Sequence, residues 1–342
     1  MGTLRQGALN LVKTCMNYKP TENSIIVTDR AKYEIGNEIF KAAMSFAENG
    51  AVNELLFLEN YGQRPLTELP KKIAEKIPSA DVTFWVAESQ KGELPMRMQF
   101  RELALKYGRE AHMPGIDKQL MEQGMCADYN EVFKLTNKVH DIVKNVKAAE
   151  VSTPAGTRLR IEFDPNLRWK PCHGLYHKKG EWGNEPEGEV FTCPRRVDGT
   201  LIAEEVGDWI GEKYGILTPP ESKYNTPVYL EVKNSRVILD TVRTKNIELE
   251  KDIIKYLQTD ENSDRVGESA FPTNVEVIRL PLTGNLLQDE KARFHIAFGN
   301  PYPEDTGANW QSKTHIDCVI KNATVVLQPG NVRLMEKDKY VF

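Results

Sequence analysis

Long apolar runs are missing from this chain. No stretch approaches the roughly eighteen apolar residues that a membrane helix needs, so no membrane span is expected. Cysteine is scarce and scattered: Cys15, Cys126, Cys172, Cys193 and Cys318 form no Cys-x-x-Cys pair. That spacing argues against a cysteine zinc site and a disulfide scaffold, and predicts reduced thiols in the cytoplasm. Positive charge is not in excess either. The 45 Lys and Arg against 49 Asp and Glu leave a net charge of -4, which disfavours a nucleic-acid partner. Neither G-x-G-x-x-G nor G-x-x-x-x-G-K-[ST] occurs, so a phosphate cradle is absent from the sequence. The opening MGTLRQGALNLVKTC has no sustained apolar core and no small-residue cleavage site, and Gln6 stands where a myristoylation signal carries Ser or Thr.

What is present first is alternation. SIIVTD (24–29), ELLFLE (54–59) and DVTFWVAE (81–88) read as strands. Helices are expected over about 30–48, 66–76 and 96–107. Thr28 or Asp29 could cap the first of them and Asn49-Gly50 could end it. A long amphipathic helix is expected over 129–149, with Val132, Leu135, Val139, Ile142 and Val146 as its apolar stripe. Strand–helix repetition of this kind predicts an α/β chain that opens with a doubly wound parallel sheet. After Glu150 the texture changes. VSTPAGTRLRIEF reads as a hairpin, PVYLEVKNSRVILDTV as another through Asn234-Ser235, and 246–257 as an isolated helix. Two domains are therefore expected: residues 1–149, Rossmann-like, and 150–342, mostly β (α+β) and carrying a metal site.

Histidine is rare, six in all, yet two stand close to carboxylates. Six side chains are candidate metal ligands: Glu189 in GEVFTCP, Glu268 in GESAFP, His295 and Tyr302 in HIAFGNPY, and His315 with Asp317 in THID. Carboxylates mixed with imidazoles suit Zn, Mn, Co or Fe. On a strand, His315 and Asp317 share a face and can reach one ion; the same pair could also point outward to solvent. Cys318 points to the opposite face and reads as a buried thiol. His295 is either a ligand or a core histidine, and Tyr302 either a ligand or a packing residue. Glu268 is a carboxylate whose burial would demand a partner, or an exposed loop charge. Glu189 is a ligand or a strand-edge charge. His173 and His177 are spaced i, i+4, but Gly174 makes a helix doubtful, so they are expected at the site entrance or the surface. His112 and His140 carry no signal.

Taken in order, EVFTCP (189–194), GESAF (267–271), DEKARFHIAFGNPY (289–302) and HID (315–317) resemble the motifs of the thermophilic metalloaminopeptidase family. The similarity runs from roughly residue 110 to 325, with Lys291 standing where the family has asparagine. The resemblance implies that Glu189, Glu268, His295, Tyr302, His315 and Asp317 bind two divalent ions (Zn, Co or Mn). It makes Glu290 the candidate acid–base residue and gives Glu189 a place in the catalytic centre. It further implies release of N-terminal residues from short peptides by an activated water, and a homodimer. A ring-cleaving dihydroxypyridine dioxygenase resembles the same family but holds one iron. A histidine stands there at the position matching Glu268, and the match to Glu189 is lost, so glutamate at both favours two metals here. A non-peptide amidohydrolase, or a non-catalytic metal-binding relative, is the other alternative.

Overall fold

The computed structural model describes residues 2–90 and 92–342. The chain divides into two compact units. One holds the residues through Phe133 together with His173–Glu187; the other holds Lys134–Cys172 and Gly188–Phe342. The division falls inside the Tyr129–Val143 helix rather than near residue 150. Residues 173–187 rejoin the first unit because Trp182–Asn184 adds a strand beside Arg109–His112.

The first unit is built on a five-stranded parallel sheet. Its order is Asn53–Phe57, Ser24–Thr28, Val82–Val86, Arg109–His112, Trp182–Asn184. Ser24–Thr28 and Val82–Val86 are buried at every position, the pattern of strands covered on both faces. The helix after the Ser24–Thr28 strand runs Tyr33–Phe46 and buries Ile35, Ile39, Ala42 and Ala43 on one side. Asp29 Oδ1 accepts the Lys32 amide just ahead of it. The helix expected over 66–76 shrinks to Lys71–Ala74. Pro70 directly precedes it, and a proline disfavours helical backbone at the residue before it. Strand order reverses between Ser24–Thr28 and Val82–Val86, which is where such sheets take ligands. Here Arg64 fills the place with ion pairs to Asp29 and Glu93, all three buried at the side chain.

The second unit stacks two antiparallel sheets. The eight-stranded one runs Arg236–Val237, Val228–Lys233, Arg196–Ala203, Arg158–Glu162, Ala148–Ser152, Thr324–Gln328, Val332–Glu336, Lys339–Tyr340. Both expected hairpins are there, and Asn234 and Ser235 take the two positive φ values of a tight turn. The long helix stops at Val143 instead of 149, because Ala148–Ser152 is claimed by strands on both sides. The six-stranded sheet runs Glu205–Val206, His315–Val319, His295–Gly299, Val266–Pro272, Glu189–Thr192, Lys170–Cys172. Its inner face supplies Val190, Phe271, Ile296, Phe298, Ile316 and Cys318 to the common core. Among the described residues no helix is long and apolar enough to cross a membrane.

Candidate metal centre

Period-two alternation places the chemistry. In the six-stranded sheet Ile296 and Phe298, like Ile316 and Cys318, enter the core. Their neighbours His295 and Ala297, and His315 and Asp317, therefore share the opposite face. Glu189 does the same beside core-facing Val190. The Val266–Pro272 strand needs a correction to join them, since Val266 and Phe271 both face the core. A register shift between Val266 and Glu268 supplies it, the local re-aiming that a β-bulge produces. Gly267 permits it: a Cβ there would lie 2.1 Å from the Gly299 carbonyl oxygen.

The register then lines up Asp317, Ala297 and Glu268 across three neighbouring strands. Alanine in the middle leaves room between the two carboxylates. His295 Nε2 lies 3.3 Å from Glu268 Oε1, 3.6 Å from Glu189 Oε2 and 3.7 Å from Asp317 Oδ1. His315 Nε2 lies 3.6 Å from Glu268 Oε2 and 3.4 Å from Asp317 Oδ1. Two groups of three result, Glu189–Glu268–His295 and Glu268–His315–Asp317, each with ligand atoms within 4.8 Å of one another. Glu268 belongs to both, with one oxygen toward each histidine.

Several features suit these groups to cations. Nδ1 of His315 is 2.9 Å from the Asn300 carbonyl oxygen, and Nδ1 of His295 is 3.3 Å from that of Arg293. A ring held this way donates from Nδ1 and offers Nε2 to a metal. The Tyr256 hydroxyl bonds both the carbonyl oxygen and the amide of His315, which fixes the start of that strand. Among the described residues Glu189 Oε2 is buried without a hydrogen-bond partner, a costly state for a carboxylate oxygen unless something else binds it.

Charges respond strongly to one another here. Burial pulls the His295 imidazole down, but Glu268, Asp317 and Glu189 outweigh it and raise it to about 9. His315 is raised to about 10, with Asp317, Glu268 and the Asn300 carbonyl overcoming burial. Asp317 falls to about 2, because the two histidines and Lys291 outweigh burial. Glu268 is raised, mainly by burial. Without metal, imidazolium protons balance the carboxylates. Divalent cations would take over that role.

Glu290 sits at the rim of the group, pushed up to about 8 by burial and by the Glu189 and Asp317 charges, against the pull of Lys291. Lys291 bridges it to the candidate ligand Glu189, at 2.6 Å from Glu290 Oε1 and 2.5 Å from Glu189 Oε1. In the sequence Lys291 is a lysine placed between an acidic step and an apolar strand, where the resembled family has asparagine. Tyr302 lies beside the Glu268–His315–Asp317 group. It takes a left-handed backbone, φ 49°, with its ring 4.7 Å from that of His315. Burial and then the site carboxylates raise its hydroxyl well above the usual value. Phe191, Ala270 and Cys172 pack with Tyr302 as the apolar side of this region.

Other singled-out residues lie elsewhere. His173 packs against Phe133 and Tyr176, and His177 Nε2 lies 3.0 Å from the Thr14 carbonyl oxygen. His112 is buried against Glu110 at 2.8 Å. Cys318 is buried and its thiol is raised by desolvation. The five cysteines form no disulfide.

Residues 226–330 match the model of the thermophilic metalloprotease family, a span that includes every ligand candidate except Glu189. Over that span the chain is similar to the thermophilic metalloproteases. Among solved structures it is similar to wild-type AmpT from Thermus thermophilus, at 15% identity over 99% of each chain with a TM-score of 0.70. It is also similar to a 2,5-dihydroxypyridine dioxygenase from Pseudomonas putida, at 16% identity over 99% of this chain and 96% of the other, TM-score 0.69. Both likenesses concern the fold, an α/β sheet unit followed by a mostly antiparallel one, as expected from the sequence. A comparison with curated proteins finds no match.

Proposed function

We propose that this protein is a metal-dependent aminopeptidase that releases N-terminal residues from short peptides at a two-cation centre. The observation that carries the reading is Glu268, shared between two groups of three ligands and turned with one oxygen to each. Zn, Co and Mn all accept such a mixture of carboxylate and imidazole. A bound cation pair supplies Lewis-acid polarisation of the scissile carbonyl and makes a water more acidic. The chain's own side chains do the rest. Glu189, Glu268, His295, His315 and Asp317 hold the cations, with the Tyr302 hydroxyl beside them. Glu290, beside Lys291 next to the ligand candidates, can take the proton that the water gives up and pass it to the departing amine. The carboxylate-rich face suits the ammonium of a free peptide N-terminus, and Phe191 with Ala270 offers an apolar wall for its first side chain. We place the enzyme in the cytoplasm, where its thiols would stay reduced, and expect a homodimer by likeness to the family.

The dioxygenase of the same fold keeps a second reading in view, one iron and oxygen chemistry instead of two ions and hydrolysis. The test is metal-stripped protein reloaded with Zn, Co or Mn and assayed on amino-acid anilides and dipeptides. Turnover that Glu268→Gln abolishes together with one bound ion supports the aminopeptidase. No turnover with any of the three, combined with oxygen consumption on dihydroxypyridines under Fe, refutes it.

A further inference from the structure

The two candidate cation positions are not equivalent. Lys291 is only 1% exposed at the side chain, and its ammonium lies 2.5 Å from Glu189 Oε1 and 2.6 Å from Glu290 Oε1. A lysine buried this deeply is stable only when paired. The Gln288 carbonyl accepts its backbone amide, which fixes the turn that aims the side chain. Glu189 thus has one oxygen engaged by a cation of the protein, and only Oε2 faces His295 and Glu268. On the other side, Glu268, His315 and Asp317 form ion pairs only among themselves and with His295, among the described residues.

We propose that Lys291 is a fixed internal cation that makes the centre asymmetric: the Glu268–His315–Asp317 position binds its divalent ion tightly, and the Glu189–Glu268–His295 position binds a second one weakly and exchangeably. The inference rests on the two-cation reading above. Two effects act in the same direction. Repulsion between an ammonium and a divalent ion sharing Glu189 is strong in a buried site. The charge-assisted hydrogen bond from Lys291 also withdraws one of the two Glu189 oxygens, leaving a single-oxygen ligand held in a set orientation. Removing the ammonium while keeping the side-chain volume should restore both.

Metal-stripped full-length protein is titrated with Mn²⁺, following free ion by electron paramagnetic resonance, and with Zn²⁺ by calorimetry. Wild type should bind two ions per chain in steps separated by about a hundredfold or more. In Lys291→Met the weak step should tighten at least about tenfold, while the tight step moves less than about threefold. Lys291→Gln, which removes the charge but keeps a hydrogen-bond donor for Glu189, should tighten the weak step by a smaller factor and decides the matter if the methionine variant folds poorly. Lys291→Arg should keep the steps apart. Two equal steps in wild type, or a weak step unmoved in both neutral variants, overturns the role of Lys291 and leaves the aminopeptidase reading standing. No divalent ion bound by any form overturns both.

Discussion

Metal affinity at this centre should climb steeply with pH, well past the range in which an ordinary histidine titrates. A histidine must give up its proton to ligate. His315 holds its proton up to about pH 10 and His295 up to about 9 in the metal-free protein, because each faces site carboxylates whose pull exceeds the effect of burial. Below such a value every pH unit weakens apparent binding tenfold, about 1.36 kcal/mol per proton. Between pH 8.5 and 6.5 the Glu268–His315–Asp317 position should therefore lose roughly a hundredfold in affinity, about 2.7 kcal/mol. Asp317, at about 2, is ionised throughout and adds no slope. Glu268 is raised by burial and can only steepen it.

The assay is calorimetric titration of stripped protein with Zn²⁺ at pH 6.5, 7.5 and 8.5, in two buffers of different ionisation heat. About one proton should be released per ion, roughly two for the filled pair. The contrast lies at the upper end of the range. Histidines near the ordinary value of about 6.5 would be neutral by pH 7.5, and affinity would level off there. A plateau between pH 7.5 and 8.5, or release of less than about half a proton per ion at pH 7.5, refutes the view that carboxylates charge these histidines in the metal-free state.

The candidate ligands could be picked out in sequence because each lies in a short motif, and a strand's two-residue period sets which side chains share a face. His315 and Asp317 follow that rule directly. Glu268 does not: the plain alternation from Val266 would send it into the core, and only the bulge at Gly267 turns it out. That bulge answers to the Gly299 backbone on the next strand, more than thirty residues away in the chain. Lys291 is similar. As a letter it is a charge beside an apolar run, and its meaning comes from Glu189, 102 positions earlier. In the first unit Ser24–Thr28 and Val82–Val86 read correctly because uninterrupted apolar runs report burial on both faces, while Arg109–His112 and Trp182–Asn184, which carry no such run, were not expected. The helix expected over 66–76 failed against Pro70, and the one expected to reach 149 failed because strand pairing of Ala148–Ser152 outweighed local helical periodicity.

Two further perturbations test the framework beneath the ligands. Gly267→Ala would set a methyl 2.1 Å from the Gly299 oxygen and 3.0 Å from that of Asn300, both backbone atoms that cannot swing aside. It should cost about 1–3 kcal/mol, seen as a lower Tm, and weaken both cation steps; wild-type Tm with wild-type metal content would contradict the bulge argument. Glu205→Gln should stabilise the protein at alkaline pH. Glu205 and Asp289 are each 1% exposed and share a hydrogen bond. Asp289 is raised to about 6 and Glu205 well above its usual range, in both cases chiefly by burial, with the Asp289 charge adding to the rise at Glu205. Unfolded, both acids ionise near pH 4; folded, they keep protons that the unfolded chain has lost. Above pH 4.5 the pair therefore destabilises the fold increasingly as pH rises. Glutamine mimics the protonated acid at every pH. Its free energy of unfolding in urea should exceed that of wild type at pH 8 and match it near pH 4.5, where Glu205 is protonated in the folded protein. An advantage that is equal at both pH values would mean that packing, and not charge, limits this buried pair.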